Sequence, residues 1–196
     1  MGSANLRAVF LDRDGVLIED VNLLTDPERI RVLPGVADAL VALKDAGFLL
    51  LVVSNQTVVA RGLANEDQVA ALQRAVEQRL RAAGAPGLDG FYFCPHHPRA
   101  TLAAYRRDCQ CRKPRPGLLL QAAGEHRIDL AASYMVGDRP TDLLAGAQAG
   151  CRTVWVQTGS HLDPPIETSE PLGAAAPDFV CAGLAEAAGW ILTRGG

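Results

Sequence analysis

The 196-residue sequence has no long hydrophobic run. Its most apolar stretch, Phe48 to Val53, gives way at once to Ser54, Asn55 and Gln56, whereas a membrane-spanning helix needs roughly 18 apolar residues in succession. No membrane span is expected. Nor is there an excess of positive charge: 19 Lys and Arg stand against 22 Asp and Glu, which leaves no basic footprint for nucleic acid. Lysine is scarce, with Lys44 and Lys113 the only two, so cationic work falls mainly to arginine. The first residues, Met1-Gly2-Ser3-Ala4, lack the basic and apolar regions of a signal peptide, and Leu6 stands where a myristoylation signal wants Ser or Thr. A cytoplasmic chain is therefore expected, and in that compartment five cysteines argue against a disulfide framework and for metal binding or burial. No internal repeat or low-complexity tract is present.

At about 150 residues per domain the length predicts one domain over 1–196, large enough for a core that needs no covalent staples. Short apolar runs alternate with amphipathic segments, the pattern of a mainly parallel sheet with helices on both faces. Strands are predicted at Arg7 to Leu11, Phe48 to Val53, Phe91 to Cys94, Tyr134 to Val136, Thr153 to Val156 and Phe179-Val180. Between them, Val36, Ala39, Leu40 and Leu43 recur at helical spacing up to Gly47, and Val69, Leu72, Val76 and Leu80 do the same behind the capping residue Asn65. Further helices are predicted after Pro116, from Asp142 to Ala149 and from Leu184 to Leu192. Residues 95–116 and 157–178 hold four prolines each and read as loops; the first is long enough to suggest function.

Polar clusters fall at the carboxyl ends of the predicted strands: Asp12 and Asp14 after the first, Ser54 after the second, Asp138 and Asp142 after the fourth. In an open parallel sheet that edge is where ligands bind. The segments Leu11-Asp12-Arg13-Asp14-Gly15, Ser54-Asn55, Arg112-Lys113-Pro114 and Gly137-Asp138-Arg139-Pro140-Thr141-Asp142 resemble the motifs of the haloacid dehalogenase superfamily of aspartyl-phosphate phosphatases, over nearly the whole chain. The resemblance implies a three-layer Rossmann-like fold. It also implies that Asp12 is the nucleophile and that Asp14 acts as acid and then base.

A carboxylate attacking a phosphate dianion faces repulsion of roughly 4 kcal/mol per charge pair at 4 Å and an effective dielectric near 20. Cations must therefore converge on Asp12. Lys113 is the side-chain cation, and Mg²⁺ the metal, held by the carboxylates of Asp12 and Asp138 with, by the resemblance, the main-chain carbonyl of Asp14. Ser54 and the main-chain amides near Arg13 and Asn55 are expected to hold the transferring phosphoryl group, with Gln56 beside them. Asp142 is expected to orient the metal shell or Lys113.

Cys94, His96, Cys109 and Cys111 form C-x-H and C-x-C half-sites with twelve residues between His96 and Cys109. Three thiols and an imidazole make a closed tetrahedral set for structural Zn²⁺, with His97 an alternative ligand. The segment 94–111 resembles the zinc loop of the heptose bisphosphate phosphatases and of the histidinol-phosphatase branch related to them. The gap of twelve favours the former, since histidinol-phosphatase domains tend to a short one. Clamping Cys111 should place Arg112 on the distal part of the substrate, and Arg61 should reach its second phosphate.

The substrate implied is a small phosphorylated sugar, turned over by a monomeric enzyme without a large cap domain. Val58 stands where the heptose family has a glycine, a costly exchange if that position has positive φ. A different class, a zinc-stabilised module that binds phosphate without turnover, has no need of Asp14.

Overall fold

The computed structural model describes residues 6–159 and 176–194. Residues 160–175, within the loop predicted at 157–178, and the first residues of the chain lie outside the described residues. Six strands, β1 (Arg7–Leu11), β2 (Phe48–Asn55), β3 (Gly90–Cys94), β4 (Tyr134–Gly137), β5 (Arg152–Val156) and β6 (Phe179–Cys181), form one sheet in the order β3-β2-β1-β4-β5-β6. Every neighbouring pair is parallel, with Val9 opposite Leu50 on one side and Tyr134 on the other.

Because side chains alternate across a strand, β1 supplies both faces although it is buried from Ala8 to Leu11. Val9 and Leu11 face a core with Leu50, Val52, Val136 and Val154, covered by residues of α1 (Val36–Asp45), α3 (Glu66–Ala82) and α6 (Leu184–Arg194). Ala8 and Phe10 face the opposite core with Leu51, Val53 and Met135, covered by α4 (Gly117–His126) and α5 (Pro140–Ala149). A polar residue at either set of positions would forfeit roughly 1.5–3 kcal/mol of burial. The helices start where the sequence supplies caps: Asn65 and Gln68 exchange side-chain hydrogen bonds with each other's main-chain N–H at the head of α3, and Pro140 opens α5.

Apart from shifts of one or two residues at other element ends, three details differ from the sequence expectation. β2 runs two residues further, so Ser54 and Asn55 are strand residues paired with Phe93 and Cys94. α5 begins at Pro140, ahead of Asp142. A four-residue helix, α2 (Thr57–Ala60), follows β2 and contains Val58, too short a segment for periodicity to reveal. Among the described residues the non-glycine residues of positive φ are Asn22, Leu23 and Arg127, so Val58 carries no such strain and is buried against Val59 and Val69.

Candidate active site

The order of the sheet places β1 between β2 and β4, and the three strand ends bring their polar residues together. Asp12 follows Leu11 and donates its N–H to Val136 of β4 at 3.0 Å; Asp138 follows Gly137 directly. Gly137 has to be glycine, because a Cβ there would lie 2.2 Å from that of Asp142. Gly15 has φ +83°, and a Cβ on it would meet the Asp138 carboxylate at 2.6 Å. Main chain thus closes tightly around these acids, and Asp12, Asp138 and Asp142 are all buried.

Lys113 reaches this group from the loop before α4. Its ammonium, 2% exposed as a residue, lies 3.0 Å from Asp12 Oδ1 and 2.7 Å from Asp142 Oδ1, and donates a 2.8 Å hydrogen bond to the Val53 carbonyl. At both carboxylate oxygens the contact is an ion pair off the hydrogen-bonding direction. Asn55 fixes the lysine main chain twice over, accepting from its N–H at 3.1 Å and donating to its carbonyl at 3.0 Å. Burial alone would lower the lysine pKa, but the charges of Asp12 and Asp142 outweigh it and hold it above its ordinary value.

The carboxylates outnumber the cations. Burial, with repulsion from Asp142 and Asp12, pushes Asp138 up to about 8. Burial likewise pushes Asp142 up to about 6 against the pull of Lys113. Asp12, Asp138 and Asp142 each bring an oxygen within 4.8 Å of the others, an all-oxygen set suited to a hard divalent cation. Asp142 also accepts from the Arg139 N–H at 3.1 Å through Oδ2, so both of its oxygens are engaged.

Asp14 stands beside this cluster and its carboxylate is gripped by its own neighbour. Arg13, 1% exposed, donates to Asp14 from Nε and Nη2, the shortest contact being 2.8 Å, and Nη2 also reaches Gln56 Oε1 at 3.1 Å. Gln56 Nε2 in turn donates to Ser54 Oγ at 2.8 Å and to Asp14 Oδ2 at 3.3 Å. Burial raises the pKa of Asp14, Arg13 opposes, and the Asp12 charge adds to the rise. A carboxyl so placed is nearer to holding a proton than a free one.

The four residues of the sulfur-rich loop also converge. Cys94, Cys109 and Cys111 place their sulfurs 3.2–3.5 Å apart, and His96 Nδ1 lies 3.6 Å from Cys94 Sγ and 3.4 Å from Cys111 Sγ. A tetrahedral zinc site has ligand-to-ligand edges of about 3.5–3.8 Å, so the set needs only slight expansion to hold the ion. Of the two histidines, His96 is the one in the cluster; His97 Nδ1 accepts instead from the Arg99 N–H. Arg112 and Lys113 follow Cys111 directly, and Arg112 Nη1 donates to the His96 carbonyl at 3.1 Å, tying the loop to the cleft.

Residues 110–187 match a family model described as HAD-hydrolase-like. A Yersinia pestis protein named D-glycero-beta-D-manno-heptose-1,7-bisphosphate 7-phosphatase is 44% identical over 180 residues, covering 91% of this chain and 92% of the relative. A Thermosynechococcus vestitus D-glycero-D-manno-heptose-1,7-bisphosphate 7-phosphatase is 41% identical, covering 95% and 96%. Among solved structures, the D,D-heptose 1,7-bisphosphate phosphatase from B. bronchiseptica, complexed with magnesium and phosphate, aligns with a TM-score of 0.79 at 32% identity, over 96% of this chain and 99% of that one. The chain belongs to the HAD-like phosphatase family.

One cleft of this HAD-like phosphatase is lined by Asp12, Arg13, Asp14, Ser54, Asn55, Gln56, Arg112, Lys113 and Asp142, most of the residues the sequence singled out apart from the sulfur-rich loop. Asp138 lies buried behind them. Arg61 does not line the cleft; it is exposed at the end of α2, where its charge, with those of Arg112 and Arg99, bears on His97. The rim is formed by Asp20, Asn22, Leu23 and Leu24, from the loop over 20–30 that the sequence suggests as a source of specificity, and by Arg139, which the sequence reading did not single out. Arg139 pairs with Asp20 at 2.7 Å, and Asp20 also accepts from the Asn22 N–H, holding the Asn22-Leu23 turn at positive φ. The adjacency of Arg139 to Asp138 could have flagged it; the Asp20 contact, 119 residues away in sequence, could not.

Proposed function

We propose that the chain, acting as one phosphatase domain, removes the 7-phosphate of D-glycero-D-manno-heptose 1,7-bisphosphate through an aspartyl-phosphate on Asp12. The observation that carries this reading is the direct covalent succession Cys111-Arg112-Lys113. It joins a Cys₃His cluster to the ammonium that faces Asp12, within a chain 44% identical to a phosphatase named for this substrate.

Asp12 attacks the 7-phosphoryl group, forming a carboxylate oxygen to phosphorus bond as the bond to the sugar oxygen breaks, and Asp14 gives that oxygen its proton. Lys113 faces Asp12 and offsets the negative charge gathering there. The Ser54 hydroxyl and the amides near Arg13 and Asn55 bind the phosphoryl oxygens as charge shifts onto them. Asp14, now ionised, takes a proton from water as that water attacks phosphorus, and inorganic phosphate leaves with Asp12 restored. Mg²⁺ held by Asp12, Asp138 and the Asp14 carbonyl supplies charge neutralisation at the phosphoryl oxygens. Asp142 holds Lys113 in line, since both its oxygens are already engaged. Zn²⁺ on Cys94, His96, Cys109 and Cys111 has four protein ligands and therefore a structural role, fixing the loop that delivers Arg112 to the distal phosphate.

The test is phosphate release with Mg²⁺ from the heptose bisphosphate and from histidinol phosphate side by side, with phosphorus NMR of the heptose product. A large kcat/KM preference for the bisphosphate and a product retaining the 1-phosphate are expected; turnover of histidinol phosphate in preference would overturn the substrate assignment. Asp12→Asn should keep the fold and abolish turnover, and no turnover of either compound by the zinc-loaded wild type would favour a binding module.

A further inference from the structure

Arg13 lines the cleft yet is only 1% exposed; its Nε and Nη2 donors converge on two neighbours, Asp14 and Gln56, while Nη1 is buried without a hydrogen-bond partner. The two Asp14 oxygens are treated unequally. Oδ2 receives three contacts: Arg13 Nη2 at 2.8 Å, Arg13 Nε at 3.1 Å and Gln56 Nε2 at 3.3 Å. Oδ1 receives one, from Nη2 at 3.1 Å. An oxygen already accepting from three N–H groups has no room for a proton of its own, so Oδ1 is the atom able to take and give one.

The amide of Gln56 has a single allowed orientation, because arginine offers only donors and its partner must be the carbonyl Oε1. That orientation directs Nε2 at Ser54 Oγ, 2.8 Å away, which makes the serine oxygen an acceptor and leaves its hydroxyl proton to donate elsewhere.

We infer that Arg13 is a positioning residue for the acid–base group. This rests on the reading of Asp14 as acid and base. The rigid fork of Arg13 occupies Asp14 Oδ2 and presents Oδ1 to the reacting oxygen. Lysine, a point charge on a flexible stem, preserves the charge beside Asp14 and loses the fork.

The experiment compares wild type, Arg13→Lys, Asp14→Asn and the double variant on two substrates. The heptose bisphosphate has a sugar leaving group that needs a proton; dinitrophenyl phosphate has one that leaves without it. For Arg13→Lys, turnover of the heptose substrate should fall about 100-fold, the lower end of what a positioned acid contributes, while the pre-steady-state burst of dinitrophenolate stays within about threefold of wild type. The double variant should lose no more than Asp14→Asn alone, because Arg13 acts only through that carboxyl.

Equal loss on both substrates, a further loss in the double variant, or wild-type rates throughout would each overturn the positioning role. If Asp14→Asn itself turned over the heptose substrate at the wild-type rate, the acid–base reading would fall first; Asp14→Asn showing the signature and Arg13→Lys lacking it removes the positioning role alone. Should Arg13→Lys fail to fold, Arg13→Gln carries the test, since glutamine keeps a donor but lacks the two-pronged fork; the same substrate dependence at about 100-fold is expected.

Discussion

Replacing Lys113 by methionine keeps the length and apolar stem of the side chain and deletes one charge. That charge sits 3.0 Å from Asp12 Oδ1 and 2.7 Å from Asp142 Oδ1, and each contact is worth about 5–6 kcal/mol at an effective dielectric near 20, before the cost of burying the ammonium is set against it. Removing one member of a buried pair leaves the other uncompensated and typically costs about 3–5 kcal/mol. Here three acids are left facing one another, so the upper half of that range applies. For a chain of this size the expected result is a drop in Tm of about 10 °C or more in magnesium-free buffer. Turnover should fall by about 10²–10³, the usual loss when one group stabilising transition-state charge is removed. The decisive comparison adds Asp142→Asn to the same chain. With a neutral amide at 142 the repulsion is relieved, and the double variant should recover most of the lost Tm and none of the activity. A Lys113→Met protein as stable as wild type, or a double variant no more stable than the single, would refute the electrostatic account; full activity in either would refute the role of the lysine.

The metal-free protein should also lose stability as pH rises. Asp142 and Asp138 have folded pKa values of about 6 and about 8 against an ordinary 3.8, so the folded form holds protons that the unfolded form has released. The stability they contribute is complete below about pH 4 and is lost progressively from there to about pH 8, most steeply below pH 6 where both groups differ; thermal melts across that window should show the fall, and millimolar Mg²⁺ should flatten it. Cys109→Ser should lower bound zinc, measured by metal analysis, and raise KM for the bisphosphate more than it lowers kcat, since the loop carries Arg112. Arg112→Ala should raise KM for the bisphosphate at least about tenfold and leave KM for a sugar monophosphate nearly unchanged, as expected for a charge that meets only the distal phosphate.

The sheet was legible because each strand is short, apolar and bounded by glycine or acid, and because Asn65 and Pro116 mark helix starts by their own chemistry. α2 was not, since four residues carry no period. That short helix is also why the concern over Val58 does not materialise: a β-branched residue is strained at positive φ but not in a helical turn, and here it fills an apolar cluster with Val59 and Val69. The acids at the strand ends were legible as a set because a parallel sheet gathers such ends at one edge. What could not be read was partnership across distance. Asp20 and Arg139, or Asn55 and the main chain of Lys113, are 119 and 58 residues apart, and nothing local announces either bond.

Arg13 shows the limit from the other side. Its place between Asp12 and Asp14 suggests a substrate contact, because a cation next to a nucleophile is an obvious phosphate ligand. A strand that ends at Leu11 and turns at Gly15 leaves its neighbours no common face, and the structure sends Asp12 toward Lys113 while Arg13 folds onto Asp14. Two carboxyl groups two residues apart therefore come to sit against different cations. Lys113 stands beside Asp12, the proposed nucleophile, where it offsets negative charge. The arginine fork beside Asp14 holds a carboxyl that burial has already moved toward protonation. On the proposed mechanism one D-x-D segment thus carries two opposite roles, and the side chain between the two acids separates their settings.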